Sequence, residues 1–280
     1  MAKKILKFVK IFLAVLLAVL VGIVLIVVPP MFMETLDNSW SLSSKKDNPP
    51  LMVAHRGLSS LAPENSLPAI EMAVEYGYDG YEIDIQTTKD GEWILLHDET
   101  VDAMTDGSGV VSEMTLEEIR ALRLDGGNGA ENYTDLKVPT LEEALEVCKE
   151  SDIIPVIEIK WCDYERIPAL LETIENYGLK DRAVLISFDS GSLEVCRELD
   201  KDIEILFIAT HPTKADVDWC IEHNAGLNYC FGYLAPSFSA ISYARENSVK
   251  LAVWTVDNIV FEDVVVLFGA EIITTNKILP

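Results

Sequence analysis

Glu82 and Asp84 stand two residues apart in the run Tyr81-Glu82-Ile83-Asp84-Ile85. That spacing points both carboxylates to the same face of a strand. Glu158 has the same character, flanked by Ile157 and Ile159. Three carboxylates converging in an apolar interior repel one another and lose their hydration. A hard divalent cation with oxygen ligands, Ca2+ or Mg2+, offsets that cost. Zinc suits the set less well, because no cluster of Cys and His ligands accompanies it. The alternative is a group of buried ion pairs, with Arg56 and Lys160 neutralising the acids.

His55 and His97 are two of only four histidines, and each ends a short apolar run. A histidine pair can divide proton transfer, one taking a proton and the other giving one. Arg56, next to His55, can hold phosphate oxygens with two parallel hydrogen bonds, and Lys160 adds a point charge. A cation, an arginine, a lysine and two histidines together form a set able to cleave a phosphodiester. His211 and His223 lack such a setting and read as loop and helix-surface residues.

These residues need elements to bring them together. Short β-branched runs are predicted as strands at 51–55, 81–85, 93–97, 154–159, 183–188, 204–209, 227–231, 251–256 and 272–275. Helical patterns lie between most of them, at 67–76, 141–149, 167–177, 193–199, 217–223, 238–247 and 261–268. Such alternation with buried strands predicts a parallel sheet. Asp90-Gly91 is a hairpin turn signal, so the run at 93–97 is expected to fold back antiparallel on 81–85. Removing that strand leaves eight parallel ones. The predicted fold is therefore α/β, a (β/α)8 TIM barrel, whose active-site groups belong at the C-terminal ends of the strands. A doubly wound open sheet is the runner-up, but the Gly-rich dinucleotide fingerprint is absent. Residues 99–139 are long and Gly-rich, and they read as a small insertion after the second strand with one helix at 116–122.

Ile11 to Val28 is apolar apart from Gly22, close to the roughly 20 residues that span a bilayer as a helix. Lys3, Lys4, Lys7 and Lys10 flank it on the N-terminal side, which predicts a cytoplasmic N-terminus. The run exceeds the roughly 7–15 apolar residues of a cleaved signal peptide. The expected organisation is a basic tail and transmembrane anchor at 1–33, a linker at 34–50, and a catalytic barrel at 51–280 facing the outside of the cell membrane. The chain beyond residue 30 holds 18 basic residues against 46 acidic ones, a net charge of −28. Nucleic acid, which needs a basic surface, is excluded as a partner on that ground. The five cysteines are odd in number and widely spaced, with no CxxC, so they read as buried thiols rather than a disulfide framework or zinc site.

The ordered set Ala54-His55-Arg56-Gly57, Pro63-Glu64-Asn65-Ser66, Glu82-Ile83-Asp84, Thr88-Lys89-Asp90-Gly91, His97-Asp98, Val138-Pro139-Thr140-Leu141-Glu142-Glu143, Glu158-Ile159-Lys160 and Trp254-Thr255-Val256 resembles the glycerophosphodiester phosphodiesterases. The resemblance runs from about Leu51 to the C-terminus. It implies a TIM barrel with Ca2+ or Mg2+ on Glu82, Asp84 and Glu158. It implies His55 and His97 as the acid–base pair, and Arg56 and Lys160 on the phosphate. Glu64 resembles the family's supporting carboxylate close to the metal, and Trp254 the aromatic residue on the glycerol side of the pocket. The activity implied is metal-dependent hydrolysis of a glycerophosphodiester to glycerol 3-phosphate and an alcohol. Two departures stand out: Ala103-Met104-Thr105 replaces a common Arg-Thr-Thr, and Thr274-Thr275-Asn276 replaces a Thr-Asp pattern and so removes a carboxylate. The alternatives are a phospholipase-type barrel acting on lysolipids or lipid headgroups, and a non-catalytic binding barrel.

Overall fold

The computed structural model describes residues 49–279. The apolar segment at 11–28 and nearly all of the 34–50 linker lie outside that range. No helix among the described residues is long and apolar enough to cross a membrane.

Eight parallel strands carry the architecture: β1 (Leu51–Ala54), β2 (Gly80–Thr87), β4 (Ile154–Ile159), β5 (Val184–Ser187), β6 (Glu204–Ala209), β7 (Gly226–Cys230), β8 (Leu251–Trp254) and β9 (Ile272–Thr275). Each pairs with the next around the sheet, β1 pairs with β9, and β1 also pairs with β2, which closes the barrel. β3 (Trp93–Leu95) runs antiparallel along the upper half of β2, with Ile85 opposite Leu95 and Thr87 opposite Trp93. The hairpin expected from Asp90-Gly91 is thus present.

Buried strands with both faces covered read as near-continuous apolar runs, and β2 is buried over seven of its eight residues. Alternate residues divide between two cores. Val53, Val156, Val184, Ile186, Leu206, Ile208, Ala252 and Ile272 form one cluster, which fills the barrel. The intervening residues, among them Ile83, Ile157, Leu185, Leu227 and Val253, join the larger core under the helices.

The outer helices are α1 (Leu67–Glu75), α3 (Leu141–Lys149), α4 (Ile167–Asn176), α5 (Ser190–Leu199), α6 (Lys214–Glu222), α7 (Phe238–Glu246) and α8 (Ile259–Leu267), with a short α2 (Leu116–Ala121) inside the excursion. Three of them begin two or three residues earlier than the apolar pattern predicts. Capping sets these starts: Asp189, Thr213 and Asn258 accept from backbone N–H groups, and the first turns after Asp189 and Thr213 are polar and carry no periodic apolar residue.

The excursion between β3 and α3 packs its own cluster of Ile94, Leu96, Val101, Met104, Val111, Ile119, Leu124 and Val138. It is tied to the barrel where Leu95 N–H donates to Pro139 O at 2.9 Å and Leu96 N–H to Asp84 O at 3.1 Å. All five cysteines are free thiols.

Candidate active site

β1 ends at Ala54, and the chain then turns sharply. Arg56 (φ 54°) and Gly57 (φ 71°) are both left-handed, and a Cβ on Gly57 would lie 2.7 Å from the Ala69 backbone. This turn aims the Arg56 N–H at Glu82 Oε2, 2.9 Å away. The Arg56 side chain reaches Glu64 Oε1 at 2.8 Å and lies 3.5 Å from Asp84 Oδ2. His55 Nδ1 lies 2.9 Å from Asn276 Oδ1, just beyond β9.

Glu82 and Asp84 project into the barrel from β2, and Glu158 from β4, where it sits in register with Asp84. Glu82, Asp84 and Glu158 each place a carboxylate oxygen within 4.8 Å of the others. Asp84 is 1 % exposed and held on both sides by Asn65, which donates to Oδ2 at 2.8 Å and accepts from the Asp84 N–H at 2.9 Å. Lys160 lies 2.9 Å from Glu158 and 3.8 Å from Asp84. Burial, then the charges of Asp84 and Glu158, push the Glu82 carboxyl well above the ordinary range. Burial and Asp84 push Glu158 up to about 7 against the pull of Lys160.

His97 follows β3 on a turn pinned by Gln86, whose amide donates to Leu96 O at 2.8 Å and Asp98 O at 2.7 Å. Its Nδ1 lies 2.8 Å from Asp98 Oδ1. His55 is held below its usual value by burial and by the adjacent Arg56.

These groups line a cavity of about 160 Å3 at the C-terminal end of the strands. One wall carries His55, Arg56, Glu82, His97, Glu158 and Lys160. The other carries Ile186, Phe188, Ile208, Asn228, Trp254 and Thr274. Phe188 and Trp254 meet edge to face, 5.8 Å between centroids. Asn228 is 3 % exposed and its Oδ1 has no hydrogen-bond partner. A buried acceptor left unpaired is costly, so the amide is placed for a group that enters the cavity.

Residues 55–279 match the model of the glycerophosphoryl diester phosphodiesterase family. The chain belongs to that family. It is 34 % identical over 212 residues to a glycerophosphodiester phosphodiesterase of Caldanaerobacter subterraneus subsp. tengcongensis, a match covering 74 % of this chain and 86 % of the relative. It is 36 % identical over 153 residues to glycerophosphodiester phosphodiesterase 1 of Homo sapiens, covering 54 % of this chain and 46 % of the relative. Among solved structures, a phosphodiesterase of Oleispira antarctica in complex with the product sn-glycerol-3-phosphate superposes with a TM-score of 0.75 at 24 % identity, covering 82 % of this chain and 94 % of that one. A glycerophosphodiester phosphodiesterase of Thermotoga maritima gives 0.67 at 22 %, covering 83 % and 97 %.

The acidic cluster fits the divalent cation that the family resemblance implies. Arg56 and Lys160 do form the ion pairs weighed as an alternative, yet they face four carboxylates once Glu64 is included. Glu82 has no ion pair among the described residues and receives only a backbone N–H. A hard cation on Glu82, Asp84 and Glu158 would remove that excess charge.

Glu64 is not one of the converging carboxylates and does not line the cavity; it pairs with Arg56, which does. His223 is half-buried rather than a free helix-surface residue, closing α6 and stacking on Trp219 at 4.3 Å. The Ala103-Met104-Thr105 departure sits within the excursion and does not line the cavity, with Met104 and Thr105 buried there. Sequence reading assigned no role to Asn65, Gln86, Asn228, Asp257 or Asn276. Gln86 had a visible signal, because it continues the same-face series Glu82, Asp84. Asn228 had a weaker one, a lone amide in an apolar strand.

Proposed function

We propose that the chain hydrolyses glycerophosphodiesters to glycerol 3-phosphate and an alcohol, with His55 and His97 moving the protons at a Ca2+ or Mg2+ site. It is a phosphoric diester hydrolase. The observation that carries the detailed reading is the convergence of two histidines, Arg56 and Lys160 in one small cavity with Glu82 and Glu158 of the three-carboxylate cluster. The named activity of the Caldanaerobacter relative and the product held by the Oleispira enzyme support the substrate class.

Glu82, Asp84 and Glu158 would hold the cation, which when bound supplies Lewis-acid stabilisation of charge on the phosphate oxygens. Arg56 and Lys160 bind and orient the phosphate, and their charge offsets that developing on its oxygens. Glu64 and Asp84 hold the Arg56 guanidinium in place. One histidine takes a proton from the nucleophile while the other gives one to the departing alcohol. The nucleophile is water or the neighbouring glycerol hydroxyl; the second gives a cyclic glycerol phosphate that product analysis detects. Trp254 and Phe188 form an edge-to-face aromatic pair in the cavity lining.

A second reading of the substrate has one observation in its favour. An open groove of about 640 Å3 lined by Trp161, Tyr164 and Phe188 adjoins the cavity through Glu158 and Lys160. Such a wall would accept the apolar part of a lysolipid or a lipid headgroup. The anchor at 11–28 would then hold the barrel outside the cell membrane, close to that substrate, a placement that rests on the length of the run and its lysine flank. Protease access to intact cells tests that side.

The test of function is release of glycerol 3-phosphate from glycerophosphocholine, and of lysophosphatidic acid from a lysophospholipid, by the full chain with Ca2+, with Mg2+ and with EDTA. Metal-dependent turnover of the first that stops on chelation is the expected result. Absence of turnover on either substrate with either metal removes the reading.

A further inference from the structure

Asn276 and His55 are 221 residues apart in sequence, yet Asn276 Oδ1 lies 2.9 Å from His55 Nδ1. The other end of the amide is also fixed. Asn276 Nδ2 donates to Asp257 Oδ2 at 3.1 Å, and the Asn276 backbone N–H donates to Asp257 Oδ1 at 2.7 Å. The Thr275 hydroxyl donates to the same Asp257 oxygen at 3.2 Å, and Ser59 Oγ donates to Asn276 Oδ1 at 3.4 Å.

These contacts leave no freedom in the direction of the amide. An ionised carboxylate only accepts hydrogen bonds, so the NH2 group of Asn276 faces Asp257 and its oxygen faces His55. An amide oxygen also only accepts, so a neutral His55 carries its proton on Nδ1. Nε2 is then the nitrogen offered to the cavity that His55 lines. The second histidine is oriented differently, because His97 Nδ1 meets the carboxylate of Asp98 at 2.8 Å. The carboxylate absent at position 276 has an amide in its place, and a carboxylate stands behind that amide at Asp257.

We propose that Asn276, aimed by Asp257, is a positioning residue that holds His55 as its Nδ1–H tautomer, so that Nε2 exchanges protons with the substrate. The proposal rests on His55 being one of the two proton-transfer groups. It gives a role to two residues, Asn276 just beyond the last strand and Asp257 in the loop before the last helix. A histidine held in the wrong tautomer retains its place and loses most of its activity.

Nitrogen NMR of the full chain labelled at its histidine rings reads the tautomer directly, the His55 signals being identified by their loss in His55→Ala. The expected wild-type signature is an unprotonated Nε2 and a protonated Nδ1. In Asn276→Ala the two tautomers mix, and kcat falls roughly a hundredfold with little change in KM. The reciprocal pair Asp257→Asn with Asn276→Asp keeps an acceptor on Nδ1 and an amide behind it, and it restores the tautomer and most of kcat. A wild-type His55 with its proton on Nε2 overturns the proposal outright. So does an Asn276→Ala enzyme with unchanged tautomer and kcat, or a folded reciprocal pair whose His55 stays mixed. Full turnover by His55→Ala would instead remove the reading of His55 as a proton-transfer group, an outcome separate from the tautomer result.

Discussion

The backbone N–H of Arg56 donates to Glu82 Oε2 at 2.9 Å, and Glu82 has no cationic side-chain partner among the described residues. The left-handed turn at Arg56 and Gly57 creates that contact. One neutral donor does not balance a buried carboxylate beside Asp84 and Glu158.

Replacement of Glu82 by Gln keeps the shape and removes the least compensated charge. Turnover with Ca2+ or Mg2+ is expected to fall at least about a hundredfold, as loss of a group holding a metal does. The metal-free variant should melt no lower than the wild-type protein. Calorimetry with Ca2+ and thermal melts in EDTA check both halves; undiminished calcium binding by Glu82→Gln would refute the site.

The metal-free protein should lose stability as pH rises. Burial and Asp84 raise Glu158 to about 7 from an ordinary 4.5, and Glu82 moves in the same direction. A carboxyl raised in the folded state contributes stability that is present below its unfolded value and lost as pH climbs through the folded one. Melting temperature in EDTA is therefore expected to fall between 4.5 and about 7, within the range over which Glu158 ionises. Added Ca2+ should flatten that decline. A metal-free protein that instead gains stability across this window contradicts the burial argument.

Loss of His97 should act on kcat more than on KM. Its ring is anchored by Asp98 and by the turn that Gln86 holds, so His97→Ala removes a proton-transfer group and little of the fold. A drop of roughly 10²–10⁴ in kcat is expected for a general acid or base. Gln86→Leu frees the turn without touching the ring and should give a smaller loss. Steady-state kinetics on glycerophosphocholine decides between this and a purely structural His97, whose removal would leave kcat near wild type.

Asn228 should show itself through KM. Its unpaired Oδ1 faces a cavity whose other contacts on that wall are mainly apolar, and a glycerol hydroxyl would satisfy it. Asn228→Leu keeps the volume and deletes the acceptor. One net hydrogen bond is worth about 1 kcal/mol, so KM should rise roughly fivefold. Folding stability should hold or improve, because that oxygen makes no protein contact to lose. An unchanged KM would place the glycerol elsewhere.

The sequence by itself determined the barrel architecture and which side chains meet at its C-terminal end. Alternating β-branched runs and amphipathic segments are local patterns, and the eight strands left once Asp90-Gly91 had turned β3 back pointed to a parallel barrel, which the structure closes. The period of two along β2 already placed Glu82 and Asp84 together. What it could not contain was which distant group faces which. Glu64 reads as a supporting carboxylate, and only the tertiary structure shows that Arg56 is the group it pairs with. Asn276 reads as a lost carboxylate until β9 sets it between His55 and Asp257. Helix starts at Asp189 and Thr213 were hidden because capping acts through backbone N–H groups and their polar first turns leave no apolar period. Strand and helix follow from neighbours in the chain. Pairing between the first strand and the last follows only from closure of the barrel, which brings together residues that share no local pattern.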